Sequence, residues 1–325
     1  LNAEVVRSDD GRIDVPKLAL DAGRLALNGR LALDSQGWPV LIDLRGGITP
    51  LGQEPVLLPL SGPKTFVDGI DLVVGFDASV GDDWRADVGV QGFARPGLMI
   101  DALTLEGGGL LQAGAGAQTG AVTAQLNYAA SGLQLDDAGA AQAFGDTVGG
   151  ELVVSRLEGG MTNISQLTLS GAGLDARLEG TVAGPDAGFA TDAVLEAQIA
   201  GLERFSALIG QDIGGGASLR VQALMTPLDG LFDLRLSGET DNLSVGIPEA
   251  DRVLAGSGTI TAQAVRDTAG TRLESLSVRT DAAQISASAN LTSTGADARL
   301  NARLADVGLV VEGLSGPVMV GGTVA

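Results

Sequence analysis

The sequence predicts an all-β protein, and two observations lead to that class. A hairpin-like pattern occurs four times, beginning at Leu18, Leu103, Leu167 and Leu276. In each copy apolar residues stand at offsets 0, 2 and 7, with glycine or small residues between them. Apolar and polar residues also alternate along many other segments, which is typical of strands with one apolar face. We therefore expect strands joined by tight turns along most of the chain.

The first third opens with a predicted hairpin. Segments Ala3–Arg7 and Arg12–Val15 flank Asp10-Gly11, and an Asp-Gly pair suits a type I′ turn. Alternating leucines then predict strands from Leu18 to Leu33. Five prolines fall within residues 36–65. Because proline cannot donate to a strand ladder, we predict an irregular segment there, with a strand only around Val40–Leu44.

The middle of the chain alternates again and contains the only predicted helices. Strands are expected between Ile70 and Gly92, broken at Gly81–Asp83, and the second copy of the pattern occupies residues 98–128. The segments 133–144 and 202–210 are each about two turns long, and we predict that they form short helices. Helices of this size need packing partners, so we expect them to cover a sheet edge or end.

The last third predicts further hairpins. One joins Leu219–Leu224 to Leu231–Leu236, and another joins Thr259–Val265 to Arg272–Val278. The segment Asp297–Leu304 alternates most regularly, with apolar residues at even positions from Ala298 and polar ones at odd positions. We expect about 20–28 strands in one continuous array over residues 1–325, and we interpret the chain as an internal piece of a longer protein.

Composition excludes several function classes. Forty acidic residues against 20 basic ones give a net charge of -20, which repels nucleic acid, so no nucleic-acid partner is expected. The chain contains neither histidine nor cysteine, which removes histidine-based catalysis, thiolate metal sites and disulfides. We accordingly predict no enzyme activity, no metal site and no cofactor.

Two kinds of motif could still carry chemistry, and each has an ordinary structural explanation. The acid pairs Asp82-Asp83 and Asp136-Asp137 could act in acid–base catalysis, but aspartates beside small residues most often serve turns. The triplet Gly114-Ala115-Gly116 resembles part of a dinucleotide fingerprint, but its spacing to Gly120 is wrong and no βαβ pattern surrounds it. Neither motif predicts a site.

The apolar face of the strands is what remains, and two interpretations of it are open. It could form the closed core of a β-sandwich, in a secreted structural or adhesive segment. Alternatively, it could line an open, curved sheet that holds acyl chains, since 3% aromatic residues leave such a face smooth. Composition alone favours the sandwich, because closed cores are the commoner solution.

Three phrases give the chain a family resemblance. They are LSGAGLDARLEGTVAG, IAGLERFSALIGQDIGGGASLRVQA and the segment from TDAAQISASAN to the last residue. These phrases resemble sequences of the TamB family, the AsmA-like translocation and assembly module proteins of Gram-negative bacteria. Leu304-Ala305-Asp306 followed by Leu314-Ser315-Gly316 matches a phrase of that family well. Ile199-Ala200-Gly201 followed by Leu208-Ile209-Gly210 matches it less well, with glycine in place of aspartate.

The resemblance implies a fold, a function and a location. The fold would be a long curved sheet folded into an open groove with an apolar interior, a β-taco. The function would be conduction of phospholipid, or help in the translocation and assembly of outer-membrane proteins. The expected partners are phospholipid acyl chains and an Omp85-type outer-membrane protein that another part of the full chain contacts. The location would be the periplasm, with an inner-membrane anchor outside this piece.

The apolar residues of the strands are the candidate site. We predict that the following side chains line the groove: Leu103, Leu105, Leu167, Leu169, Leu174, Leu178, Val182, Leu219, Val221, Leu234, Leu236, Leu300 and Leu304.

Overall fold

A computed structural model describes residues 2–49, 54–58, 62–114, 120–156, 160–292 and 295–324. The described chain is mostly antiparallel β-sheet with a few short helices, which confirms the predicted class. It divides into two compact units. The N-terminal unit comprises residues 1–137 and 144–172, and the C-terminal unit comprises residues 138–143 and 173–325.

The described residues of the N-terminal unit form thirteen strands. They are β1 (Asn2–Arg7), β2 (Ile13–Ala22), β3 (Leu25–Leu33), β4 (Pro39–Ile48), β5 (Val56–Leu57), β6 (Phe66–Val67), β7 (Gly69–Asp77), β8 (Asp83–Arg95), β9 (Leu98–Gln112), β10 (Ala121–Ser131), β11 (Gln134–Leu135), β12 (Thr147–Arg156) and β13 (Thr162–Gly171). The long strands pair antiparallel in the order β1–β2–β3–β4–β7–β8–β9–β10–β12–β13.

In the described part of the C-terminal unit, nine strands pair strictly in chain order. They are β14 (Leu174–Val182), β15 (Thr191–Ile199), β16 (Gly214–Thr226), β17 (Leu231–Ser244), β18 (Ser257–Asp267), β19 (Gly270–Thr280), β20 (Ala283–Thr292), β21 (Gly295–Leu304) and β22 (Val318–Val324). In the described pairings β14 and β22 are not bonded to each other, so this ladder is open.

The recurring pattern forms strand, turn and strand in three of its four copies. In the copy at Leu167, β13 ends at Gly171 and β14 begins at Leu174, and Ala172 and Gly173 both have positive φ, at 49° and 76°. The copy at Leu103 is different, and there the predicted turn was wrong. Residues Gly107–Gly109 lie inside the 15-residue strand β9, because β8 and β10 supply ladder partners along both of its sides.

Two smaller predictions near the start of the chain also need correction. The turn before β2 is not type I′, since Gly11 has positive φ whereas Asp9 and Asp10 do not. Instead Gly11 N–H donates to Ser8 O, and Ser8 N–H donates to Arg12 O, the residue that follows the glycine. The strand expected at Val40–Leu44 runs from Pro39 to Ile48, because proline is tolerated as the first residue of a strand. Parts of the proline-rich segment lie outside the described residues.

Three short α-helices are found among the residues that the structure describes: α1 (Ala138–Phe144), α2 (Ser206–Ile209) and α3 (Pro248–Leu254). The first lies within the segment predicted at 133–144, and the second follows a 3₁₀ turn at Leu202–Phe205, within the segment predicted at 202–210. The prediction that no other segment is helical was wrong. Pro248 in the first turn, with Glu249 and Asp251 beside it, is a helix-start signal that marks α3.

Two of these helices, α2 and α3, lie at alternate connections of the C-terminal ladder. α2 connects β15 to β16, and α3 connects β17 to β18, so both stand at the same edge of the sheet. Helix α3 buries Val253 and Leu254, and Arg252 Nη1 donates to Leu309 O at 3.0 Å. Along the described strands few apolar side chains are fully buried, and most of the burial in this unit lies at this helical edge.

One irregularity in the C-terminal ladder keeps its two faces consistent. Opposite β18, Ser275 pairs with Gln263 while Leu273 pairs with Ala264, so one extra residue of β19 is accommodated in a bulge. Without this bulge Leu273 and Leu276, three residues apart, would point to opposite faces. With it, both are paired to alanines of β20 on one face, at Ala289 and Ala287.

Candidate functional site

The strand register of the C-terminal unit lines up apolar residues across all nine strands. Residues directly opposite each other in an antiparallel pair share a face, so the pairings trace rows across the sheet. We call one of them the central apolar row. It consists of Leu178, Leu195, Val221, Leu236, Ala262, Leu276, Ala287, Leu300 and Gly322. No polar side chain interrupts it.

Two neighbouring rows on the same face are equally free of polar side chains. The first runs through Ala176, Ala197, Leu219, Gly238, Ile260, Val278, Ile285, Ala302 and Val320. The second runs through Gly180, Ala193, Ala223, Leu234, Ala264, Leu273, Ala289, Ala298 and Val324. Together the three rows form an apolar strip about 14 Å wide and about 38 Å long at standard strand spacings.

The predicted residues of this unit all belong to this face. Leu178, Val221, Leu236 and Leu300 lie in the central apolar row. Leu219 and Leu234 lie in the two neighbouring rows, and Leu174, Val182 and Leu304 share the face by alternation along their strands. The register therefore brings these residues together on one surface. Whether that surface is the inside of a groove stays a prediction.

The N-terminal unit has a corresponding face. One of its rows consists of Leu25, Ile48, Ile70, Val90, Leu103, Ala130 and Val148, and the next contains Leu72, Val88, Leu105 and Tyr128. Leu167 pairs with Leu152, which pairs with Leu126, and Leu169 follows on the same side of β13. The four residues predicted here thus lie on the apolar face of their own unit.

The apolar faces are not packed like a closed core. The predicted residues are half-buried, except Leu300, which is 53% exposed, and none is fully buried. These apolar side chains therefore remain partly accessible to solvent.

Two aromatic side chains of the N-terminal unit lie across glycines on its apolar face. Trp84 on β8 is opposite Gly109, and its Nε1–H donates to Thr123 O on β10 at 3.0 Å. Tyr128 on β10 is opposite Gly150, and its hydroxyl donates to Thr168 O at 2.6 Å. Each ring therefore covers a glycine and reaches the strand beyond it. Partial burial raises the pKa of Tyr128 above its ordinary value.

The opposite face of the C-terminal unit is polar. One of its rows runs through Arg177, Glu196, Arg220, Ser237 and Thr261. Arg220 forms an ion pair with Glu196 on the neighbouring strand, and Arg177 forms one with Glu179. These pairs are half-exposed, so they keep the face hydrated and contribute little to the free energy of unfolding.

Cavities are found on the polar faces as well. In the C-terminal unit a cavity of about 880 Å³ is lined by residues of β14–β19 and their connections, mainly those whose side chains point away from the apolar rows. In the N-terminal unit a cavity of about 450 Å³ is lined by Gly108, Gln125 and Val153, among others. Neither cavity could be predicted from the sequence, because a cavity depends on sheet curvature that alternation does not encode.

Some residues of the central apolar row were not predicted. Leu195, Ala262 and Ala287 occupy it, and so does Leu276, the first residue of the fourth copy of the hairpin pattern. Leu195 is 37% exposed and stands between Leu178 and Val221. The alternation of Ala193, Leu195 and Ala197 in the sequence is the signal that could have identified it.

The motifs with possible chemistry do not form a site in the described structure. Asp82 lies in a turn and accepts a hydrogen bond from Gln112 Nε2 at 3.0 Å, while Asp83 begins β8. Asp136 and Asp137 lie just before α1. The triplet at Gly114 extends outside the described residues. Within the described residues there is no group of three or more potential metal ligands, and no helix has the length and apolarity to cross a bilayer.

Comparison with protein-family models, with curated proteins and with solved structures finds no match to this chain.

Proposed function

We propose that the apolar faces of this chain bind lipid acyl chains and let them move along the sheet without catalysis. The observation that carries the proposal is the set of three apolar rows across nine strands, with side chains that remain partly exposed. Accessible apolar patches of this size are typical of surfaces that bind a partner or a lipid, which supports the proposal.

The character of the strip favours movement over fixed binding. Each methylene that leaves water contributes roughly 0.8 kcal/mol, so a long acyl chain gains enough to bind. The three rows contain leucine, valine, isoleucine, alanine and glycine, with no charged or hydrogen-bonding side chain. A chain on this surface meets the same contacts at every strand, which supports repeated weak binding.

The burial pattern supports an accessible face over a closed sandwich core. In a sandwich the inner side chains of both sheets interdigitate and become buried. In the described residues only eight hydrophobic side chains reach that state, and Val253, Leu254 and Ala143 among them belong to helices. Most side chains of the apolar faces are not among these eight, and Ile48 and Phe76 are two of the few exceptions.

The wider setting of this proposal rests on the resemblance to the TamB family. In that setting the chain is a periplasmic segment of a protein that bridges the inner and outer membranes. It conducts phospholipid or assists the translocation and assembly of outer-membrane proteins, and an Omp85-type protein contacts another part of the full chain. The groove-like fold of the sheet, with the apolar rows inside, belongs to the same proposal.

The test compares two neighbouring residues that point to opposite faces. Leu236 lies in the central apolar row and Ser237 in the polar row beside it, on the same strand. We expect Leu236→Arg to lower phospholipid binding at least about tenfold, because a cation on the strip must keep its hydration. Ser237→Arg adds the same charge to the other face and should leave binding unchanged.

The measurement is native mass spectrometry of the purified chain with phosphatidylethanolamine, followed by photocrosslinking from position 236. Circular dichroism confirms that both variants fold. Equal lipid binding by the two variants, or crosslinks from position 237 as strong as those from 236, would contradict the proposal.

A further inference from the structure

The larger polar-face cavity lies across six strands at the helical edge of the C-terminal unit. Two adjacent rows of β14–β19 line its floor. The first consists of Asp175, Gln198, Ser218, Glu239, Thr259 and Arg279. The second begins with Gly173, Ala200 and Gly216, whose small size leaves the space open. The cavity is open to solvent and the polar side chains of its floor are exposed, and its volume of about 880 Å³ is within the range of small-molecule sites.

Opposite charges stand apart on this floor. Glu239 on β17 pairs with Thr259 on β18, which pairs with Arg279 on β19. The acid and the base are therefore two strand spacings apart, about 10 Å, with a hydroxyl between them. Within the described residues neither Glu239 nor Arg279 has a side-chain hydrogen bond or an ion pair, although eight other ion pairs form in the chain.

We propose that this cavity binds a short zwitterionic peptide of about three residues. The free ammonium group would bind Glu239, and the free carboxylate would bind Arg279 through its planar pair of N–H donors. Three extended residues span about 10 Å, which matches the separation of the two charges. Thr259, which lies between them, offers a donor and an acceptor to the peptide backbone.

The rest of the floor selects among such peptides. Gln198 and Ser218 extend the hydrogen-bonding row beyond Glu239, and they carry no charge. Asp175, Asp241 and Asp281 add negative charge around the cavity, so basic side chains on the peptide are favoured and acidic ones are repelled. This site is on the face opposite the apolar rows and is independent of the lipid-binding proposal.

The probe is the tripeptide Lys-Ala-Lys, titrated into the ¹⁵N-labelled chain by NMR. An N-acetylated form and a C-amidated form each lack one terminal charge. We expect each modification to weaken binding about tenfold, which corresponds to about 1.4 kcal/mol. Glu239→Gln should weaken binding of the free peptide and leave binding of the N-acetylated peptide unchanged. Arg279→Gln should weaken binding of the free peptide and leave binding of the C-amidated peptide unchanged.

Control variants carry the same charge changes elsewhere on the polar face. Asp192→Asn and Arg303→Gln lie outside the cavity and should leave binding unchanged. If both capped peptides bind as tightly as the free one, or if the controls weaken binding as much as the cavity variants, the proposal is wrong. Shifts confined to residues of β17–β19 would support it.

Discussion

The two units build the same kind of apolar face in different ways. In the N-terminal unit Trp84 and Tyr128 lie across the glycines of neighbouring strands and hydrogen-bond to carbonyls beyond them. In the C-terminal unit the three apolar rows contain only aliphatic residues and glycine. Most of the burial there lies at the helical edge, in Val253, Leu254 and Ala283.

This difference shows where each unit obtains its stability. An aromatic ring contributes apolar area on the face itself and also a polar group that must find a partner. A short buried helix contributes burial at the edge and leaves the face free. We therefore expect damage to the face to destabilise the N-terminal unit, and damage to the edge to destabilise the C-terminal unit.

The largest expected effect is at the helical edge. Leu254 of α3 is 8% exposed, so Leu254→Ala removes buried methyl groups and should destabilise the C-terminal unit by about 3 kcal/mol. Urea denaturation measures the loss, and hydrogen exchange shows whether it is confined to β16–β19. The control is Leu208→Ala in α2, where the side chain is 47% exposed and little change is expected.

The next effect is on the aromatic face. Trp84→Ala uncovers Gly109 and removes a half-buried indole, so we expect a loss of about 2 kcal/mol, with faster exchange in β8–β10. Trp84→Phe keeps most of the apolar cover and loses only the bond to Thr123 O, which should cost about 1 kcal/mol. Equal losses for the two variants would show that the hydrogen bond dominates and would contradict the role of the ring as cover.

A smaller effect is expected at Tyr128, and it depends on pH. Tyr128→Phe removes the bond to Thr168 O and should cost about 1 kcal/mol at neutral pH. The pKa of Tyr128 is raised in the folded state, so folding favours the protonated phenol. The corresponding stability is present below about pH 10 and is lost as the pH rises above it.

The measurement for Tyr128 is urea denaturation between pH 8 and pH 11. The wild-type chain should lose stability relative to Tyr128→Phe above about pH 10. If the two curves stay parallel through that range, the phenol is not desolvated in the folded state.

The smallest effect is expected in a turn of the C-terminal unit. Asp267 accepts hydrogen bonds from Arg272 and from the backbone N–H of Ala269, which lower the pKa of Asp267. A lowered pKa means that this carboxylate stabilises the fold above about pH 4, and that the contribution disappears as the pH falls further. Asp267→Asn should therefore lower the thermal stability of the chain slightly at pH 7 and leave it unchanged at pH 2. Thermal denaturation at the two pH values measures this difference. A loss that persists at pH 2 would show that charge is not its cause.

The faces of the strands could be predicted from the sequence because alternation is a local property. Leu178, Leu236 and Leu300 were each identified from their own strand, and the ladder then placed them in one row. The four copies of the hairpin pattern also predicted three correct turns. Where apolar residues alternate regularly, no tertiary information is needed to assign their side of the sheet.

Other features depend on contacts that no local pattern contains. Gly107–Gly109 look like a turn, yet they continue β9 because β8 and β10 pair along both sides and Trp84 covers Gly109. The separation of Glu239 from Arg279 follows from which strands are neighbours and cannot be seen in one segment. Helix α3 is different, since its proline and acidic first turn are local signals from which the sequence alone predicts a helix start.

The bulge in β19 has a consequence for how such a chain can change in length. A strand has two faces, so inserting or deleting one residue transfers every later side chain to the other face. Between Leu273 and Leu276 one odd residue has been absorbed, and both leucines still meet Ala289 and Ala287 on the apolar side. Ancestral insertions inside strands would thus survive in pairs, or singly where a bulge restores the parity. Turns such as Pro227–Gly230 have no two-face constraint, so their length is free to change by any number of residues.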